Sequence, residues 1–162
     1  MDLYILRHGQ AAERDTNLYP NDCDRPLTKR GKSVTKKVAE ILKRLDLTFD
    51  IILTSPFLRA LETAEIAAKV LHNKKKLKMT PFLAADQNPK KIIMEIRKNY
   101  VHHEKILLVG HEPYLSTLIS VLISGRSDIP ILLKKSGLGK LSITHISYSQ
   151  CATLEWLMPP LN

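Results

Sequence analysis

Short apolar runs alternate along this chain with longer stretches whose apolar residues recur at helical spacing. Leu3, Tyr4, Ile5 and Leu6 form a run that ends at Arg7, the mark of a buried strand. Residues 9–27 are polar and irregular, with Pro20, Asn21, Asp22, Asp24 and Pro26. They predict a long loop, and long loops in compact domains often carry function. Thr28 is placed to cap a helix whose apolar positions are Val34, Val38, Ile41, Leu42 and Leu45. Residues 50–54 predict a second strand. Ser55-Pro56 then predicts a helix start, with serine as N-cap and proline as first helical residue. Leu58, Leu61, Ile66, Val70 and Leu71 are the expected buried side of that helix. A third strand is expected over 77–80. Asn88-Pro89 repeats the cap-plus-proline pattern ahead of Ile92, Ile93 and Ile96. Residues 105–109 give the clearest strand, followed from about Pro113 by a helix with Leu115, Leu118, Ile119 and Leu122 inward. Residues 140–147 and 152–157 predict two last strands, one of them an antiparallel edge.

Strands alternating with helices imply an α/β fold. The expected form is a single-domain three-layer αβα sandwich with a mainly parallel sheet and an antiparallel edge strand, covering residues 1–162. A length of 162 residues suits one domain with one sizeable core. The amino terminus has an acid at position 2 and only a short apolar run, unlike a secretory signal. No apolar run approaches the ~20 residues of a membrane span. A cytoplasmic monomer is therefore expected, with no membrane partner.

In open parallel sheets, ligands bind beyond the carboxyl ends of the strands. The first predicted strand is followed by Arg7-His8-Gly9. The second is followed by a segment from Ser55 to Arg59, and the strongest by Gly110-His111-Glu112-Pro113. Three separate strands thus deliver arginine or histidine to one edge. Arg59 falls in the first turn of its predicted helix, where a cation opposes the helix dipole at ~0.3–1 kcal/mol. An anion bound between Arg59 and the helix start would reverse that cost; a solvent-pointing arginine is the plain alternative. Gly9 and Gly110 would let backbone approach a ligand closely.

Net charge is +9, from 25 Lys+Arg against 16 Asp+Glu, so anionic partners are favoured in general. The densest basic run, Lys74-Lys75-Lys76 with Lys78, contains no aromatic residue, which argues for a solvated turn over a nucleic-acid stripe. His72, His102, His103 and His145 lack any ligand spacing, and the two cysteines, Cys23 and Cys151, form no CxxC pair. No metal site, disulfide framework or cofactor is expected.

A pocket of this kind suits phosphoryl transfer, which needs positioned positive charge and an in-line nucleophile. Arg7 and Arg59 offer bidentate donors. An imidazole can be a covalent nucleophile when neutral, and neighbouring arginines disfavour its protonation.

These residues resemble the signature of the histidine phosphatase superfamily, which includes phosphoglycerate mutases. The resemblance rests on Leu6-Arg7-His8-Gly9, on Arg25-Pro26-Leu27-Thr28 with Gly31, on the segment from Ser55 to Ala60 with Glu62-Thr63-Ala64, and on Val109-Gly110-His111-Glu112-Pro113. The short chain and the ending Leu154-Glu155-Trp156-Leu157 before Pro159 look most like its SixA-type branch of phosphohistidine phosphatases. The resemblance implies that His8 is the phosphorylated nucleophile and that Arg7, Arg59 and His111 hold phosphoryl oxygens. Gly9, Arg25, Ser55 and Glu112 are the expected substrate-binding residues. For Arg25, an ion pair with Asp22 or Asp24 is an equal alternative. Many members place a glutamate after the third strand as proton donor, whereas residues 82–89 contain none. Asp86 is the nearest carboxylate, with a helix cap as its alternative, and Glu112 is a second candidate. This departure argues against mutase chemistry.

The expected function is metal-independent hydrolysis of phosphohistidine on a protein, through phospho-His8. Its partners are a phosphorylated protein and, in the pocket, phosphate or another small oxyanion. One alternative is a phosphatase of a small phosphorylated metabolite or sugar. Another is a non-catalytic phosphate- or nucleic-acid-binding module, against which the intact set of four argues.

Overall fold

The computed structural model describes residues 1–160. Ten regular elements follow one another: β1 (Asp2–Arg7), α1 (Lys29–Arg44), β2 (Ile51–Thr54), α2 (Leu58–Val70), β3 (Leu77–Met79), α3 (Pro89–Asn99), β4 (Lys105–Gly110), α4 (Tyr114–Ser124), β5 (Leu138–Ile143) and β6 (Ala152–Met158). The six strands make one sheet in the order β3-β2-β4-β1-β5-β6. The first four are mutually parallel. The expected antiparallel edge is a pair: β5 runs antiparallel to β1, and β6 antiparallel to β5.

Strand alternation decides which core each residue enters. In β1, Leu3 and Ile5 join the residues of α3 and α4 on one face. Tyr4 and Leu6 join those of α1 and α2 on the other. Strands β1, β2 and β4 are buried on both faces, so they read as unbroken apolar runs. Thr28 caps α1, its side chain accepting from the Gly31 N–H at 3.0 Å, and Asn88 caps α3 by accepting from the Lys90 N–H.

Two expectations about α2 are corrected. The helix begins at Leu58, not at Ser55-Pro56, because the Ser55 side chain is fully buried and turned toward His111. Of the expected leucine–isoleucine face only Leu71 is buried. Ala60, Thr63, Ala64, Ala67 and Ala68 are buried, while Leu58, Leu61, Ile66 and Val70 are only partly covered. Small residues let α2 lie close against the sheet and α1, which also buries Arg59 on that same face. Leu45 lies past the end of α1 and is exposed. Strand β5 starts earlier than expected, at Leu138, where it pairs with Leu6.

Candidate active site

Register brings the chemistry together. Arg7 of β1 lies opposite Gly110 of β4, so His8 and His111 leave neighbouring strands side by side. Thr54 of β2 lies opposite Val109, so Ser55 emerges on the other flank of His111. Hydrogen bonds continue past the strand ends, from His8 N–H to Gly110 O and from Ser55 N–H to Val109 O, both at 3.0 Å. The two imidazole rings stand 5.1 Å apart, centroid to centroid.

His8 is 7% exposed. Its Nδ1 lies 2.7 Å from the carbonyl oxygen of Gly9. A carbonyl only accepts, so Nδ1 carries the proton and Nε2 keeps its lone pair. Burial pushes the His8 pKa down to about 4, against the opposing pull of the Gly9 carbonyl; the charges of Arg59, Arg7 and Lys135 push it down further. The ring is neutral at pH 7, with its nucleophilic atom free.

His111 is 1% exposed, and burial, followed by the charges of His8 and Arg59, lowers its pKa to about 3. Its Nε2 lies 2.8 Å from Ser55 Oγ. That hydroxyl oxygen accepts from the Phe57 N–H, and His111 Nε2 is the acceptor within reach of its own proton, which places the proton there. The remaining His111 proton then sits on Nδ1, which has no partner. Arg7 Nε and Arg59 Nε are also buried without a partner, and these three atoms are the only such side-chain nitrogens or oxygens among the described residues. Buried donors are nearly always satisfied. The three nitrogens belong to a ring 5.1 Å from His8 and to two arginines whose charges act on it, a set suited to an oxyanion.

Further nitrogens of the two arginines are held by the fold. Arg7 Nη1 donates to the Leu133 carbonyl at 2.9 Å. Arg59 Nη1 donates to the Asp22 carbonyl at 2.8 Å, and Nη2 to Asp22 Oδ2 at 2.9 Å. Arg59 lies in the first turn of α2 as expected, and its guanidinium packs over the Phe57 ring. Phe57 in turn flanks the His111 ring at 4.9 Å.

The remaining expected residues sit differently. Arg25 holds Asp22 Oδ1 through Nε at 2.9 Å and Nη2 at 2.8 Å, and gives Nη1 to the Ala12 carbonyl. The ion pair with Asp22 is therefore formed. At Gly9 a Cβ would lie 2.6 Å from Thr35 Oγ1 and 3.0 Å from the Gly31 carbonyl, so its missing side chain lets α1 pack. Gly110 likewise faces Leu115. Asp86 is exposed, its carboxylate bonded by Gln87, and Asn88 rather than Asp86 caps α3. Glu112 is half-buried and accepts from Ser116 N–H at 3.1 Å and from Ser116 Oγ. Burial raises its pKa despite those bonds and the charge of Arg7.

The sequence did not reveal three further neighbours. Thr63 Oγ1 accepts from Gly9 N–H at 3.0 Å and donates to the Arg59 carbonyl. Ser136 N–H bonds the carbonyls of Arg7 and His8. Asp22 had figured only as a partner for Arg25. A cavity of about 500 Å³ lined by Lys32, Glu62, Ile66, Lys69, Lys74 and Leu77 includes none of the site residues. Among the described residues, no group of three or more His, Cys, Asp or Glu is arranged to hold a metal, and no helix is long and apolar enough to cross a membrane.

Known proteins carry the same arrangement of chain. A family model described as the histidine phosphatase superfamily (branch 1) matches residues 3–84. A protein of uncharacterised function from Picosynechococcus sp. is 38% identical over 143 residues, 85% of this chain and 82% of its own. The phosphohistidine phosphatase SixA of Escherichia coli K12 is 27% identical over 164 residues, covering 100% of this chain and 96% of its own. The solved structure of the protein histidine phosphatase SixA complexed with tungstate superposes with a TM-score of 0.85 at 25% identity, over 98% of this chain and 97% of that one.

Proposed function

The chain belongs to the histidine phosphatase superfamily, and from that premise we propose that it removes phosphate from phosphohistidine on a protein, through a phosphorylated His8. One observation carries the phosphatase chemistry: Nε of Arg7, Nε of Arg59 and Nδ1 of His111 are buried, partnerless and grouped around a neutral His8.

His8 Nε2 attacks phosphorus as the phosphorus–nitrogen bond to the substrate imidazole breaks. The departing imidazole takes its proton from solvent. Water then attacks phospho-His8, releasing inorganic phosphate and returning the neutral ring. The orphaned donors meet charge on the equatorial oxygens, the largest contribution in reactions of this kind. Arginine and imidazole donors supply that stabilisation without a metal.

The substrate class is supported by how the carboxylates are placed. Asp86 is exposed and bonded to Gln87, and Glu112 is engaged by Ser116. Neither carboxylate is hydrogen-bonded to Arg7, His8, Arg59 or His111. An alkoxide leaving group depends on such an acid, whereas an imidazole leaves with less help. The likeness to SixA points the same way.

The test compares phosphate release, with EDTA present, from a phosphohistidine-bearing protein and from phosphate monoesters. Preference for phosphohistidine supports the proposal. Preference for monoesters moves the substrate to a small phosphorylated metabolite, and loss of release in EDTA removes metal independence.

A further inference from the structure

Asp22 lies in the long loop, 37 residues before Arg59, yet it holds that arginine at two points. Its backbone carbonyl takes Nη1 and its carboxylate Oδ2 takes Nη2. Both bonds fall on the outer edge of the guanidinium. The remaining nitrogen, Nε, is buried and has no partner. The other carboxylate oxygen, Oδ1, is held by Arg25 through two nitrogens. Arg25 is anchored in turn to the Ala12 carbonyl at the near end of the same loop. A chain of contacts therefore runs Ala12–Arg25–Asp22–Arg59 and ends at the phosphoryl cradle.

We propose that Asp22 is a positioning residue of the active site: it fixes the Arg59 guanidinium with Nε–H aimed at the phosphoryl group, and Arg25 acts through it rather than on the substrate. This rests on the cradle being a phosphoryl site, but not on which phosphorylated substrate it takes. A planar fork fixed on one edge presents its other edge with little freedom left to lose. Asp22 suits the task electrostatically. Burial alone would raise its pKa, but the charges and hydrogen bonds of Arg59 and Arg25 outweigh that and hold it ionised below the ordinary carboxylate range.

Two roles for Asp22 make opposite predictions about phosphate. A carboxylate beside an anion site repels the anion, so one that merely balances charge would, when neutralised, leave phosphate bound more tightly. A positioning carboxylate behaves differently with the two replacements. Asp22→Asn still offers one side-chain oxygen to Arg59, whereas Asp22→Ala leaves it only the backbone carbonyl.

The experiment measures turnover and inorganic phosphate affinity for wild type, Asp22→Asn, Asp22→Ala, Arg59→Ala and the double variant Asp22→Ala/Arg59→Ala, with melting curves confirming that each is folded. The expected result for Asp22→Ala is a kcat lower by roughly 10–100-fold and weaker phosphate binding. Asp22→Asn should stay within about fivefold of wild type in kcat and bind phosphate at least as well. In the Arg59→Ala background, Asp22→Ala should change neither quantity by more than about twofold, because coupled residues are not additive. Tighter phosphate binding in both Asp22 variants, or the full Asp22→Ala loss persisting without Arg59, would overturn the proposal. Wild-type phosphate affinity in Arg59→Ala would remove the phosphoryl-site reading and the proposal with it. Activity confined to monoesters would revise the substrate class and leave the role of Asp22 standing.

Discussion

Two charged clusters sit on this sheet, at opposite ends of its strands, and they are built by opposite rules. At the amino-terminal end of β1, Lys140 Nζ meets Glu155 at 2.8 Å and Asp2 at 3.1 Å, and lies over the Tyr4 ring. Every charge there has a partner, and the group ties β1, β5 and β6 together. At the carboxyl-terminal end, Arg7, Arg59 and His111 each keep a buried nitrogen with no partner. An orphaned buried donor costs about 1–3 kcal/mol. A fold tolerates three of them in one place when a ligand is to complete them, and the stability they forgo is what functional sites commonly give up.

The sharpest way to break this comparison is to remove His8. His8→Ala should lower turnover by more than about 10³-fold, since the Nε2 of the other imidazole, His111, is engaged by Ser55. Lys140→Ala, at the paired end, should leave turnover within about twofold of wild type. Comparable losses in the two variants would erase the distinction.

Next in size are the cradle residues. Arg59→Ala and His111→Ala should each lower kcat by about 10²–10³-fold, the usual effect of deleting one preorganised donor. Inorganic phosphate should raise the melting temperature of wild type, by an amount equivalent to about 2.7 kcal/mol at a hundred times its Kd. It should leave that of the Arg59→Ala variant nearly unmoved. Equal stabilisation of both would place the phosphate elsewhere.

The pH profile sharpens the comparison further. His8, lowered to about 4, and His111, lowered to about 3, must both be neutral to act as described. kcat/KM should therefore be flat through neutral pH and fall only as pH approaches 4. An acid limb near 6.5, the ordinary histidine value of about 6.5, would contradict it. Stability follows with a definite sign. Below about 6.5 the unfolded chain binds protons at these two histidines that the folded one does not. Stability should then decline as pH falls from about 6.5 to about 3, where the folded rings also protonate. Saturating phosphate, by raising the folded-state pKa values, should raise the lower limit of that window and make the decline smaller. The smallest effect belongs to the paired end, where Lys140→Ala should cost at most about 1 kcal/mol in denaturant unfolding, as expected for partly exposed ion pairs.

What could be read from the sequence follows the same division. The strands β1, β2 and β4 are legible because burial on both faces leaves unbroken apolar runs, and the residues just past them are then the natural place to look for chemistry. Arg7, His8, Arg59 and His111 stand there. The buried face of α2 was misread because hydrophobic periodicity weighs leucine above alanine, whereas close packing here selects alanine. The start of α2 was misread because a buried serine beside a proline imitates a cap, while Ser55 serves His111. Asp22, Thr63 and Ser136 were missed for another reason. Their roles depend on contacts across 37, 54 and about 130 residues of chain, which no local pattern encodes. The one available hint for Asp22 was its place between polar residues in a loop too long to be a plain connection.

The central claim is that His8 takes the phosphoryl group. Rapid quenching of wild-type protein with a phosphohistidine-bearing substrate, followed by peptide mass spectrometry under alkaline conditions that preserve phosphohistidine, tests it directly. The account predicts one phosphoryl group on His8, formed and lost at rates consistent with turnover, and none in His8→Ala. A phosphorylated residue other than His8, or undiminished turnover in His8→Ala, would contradict it.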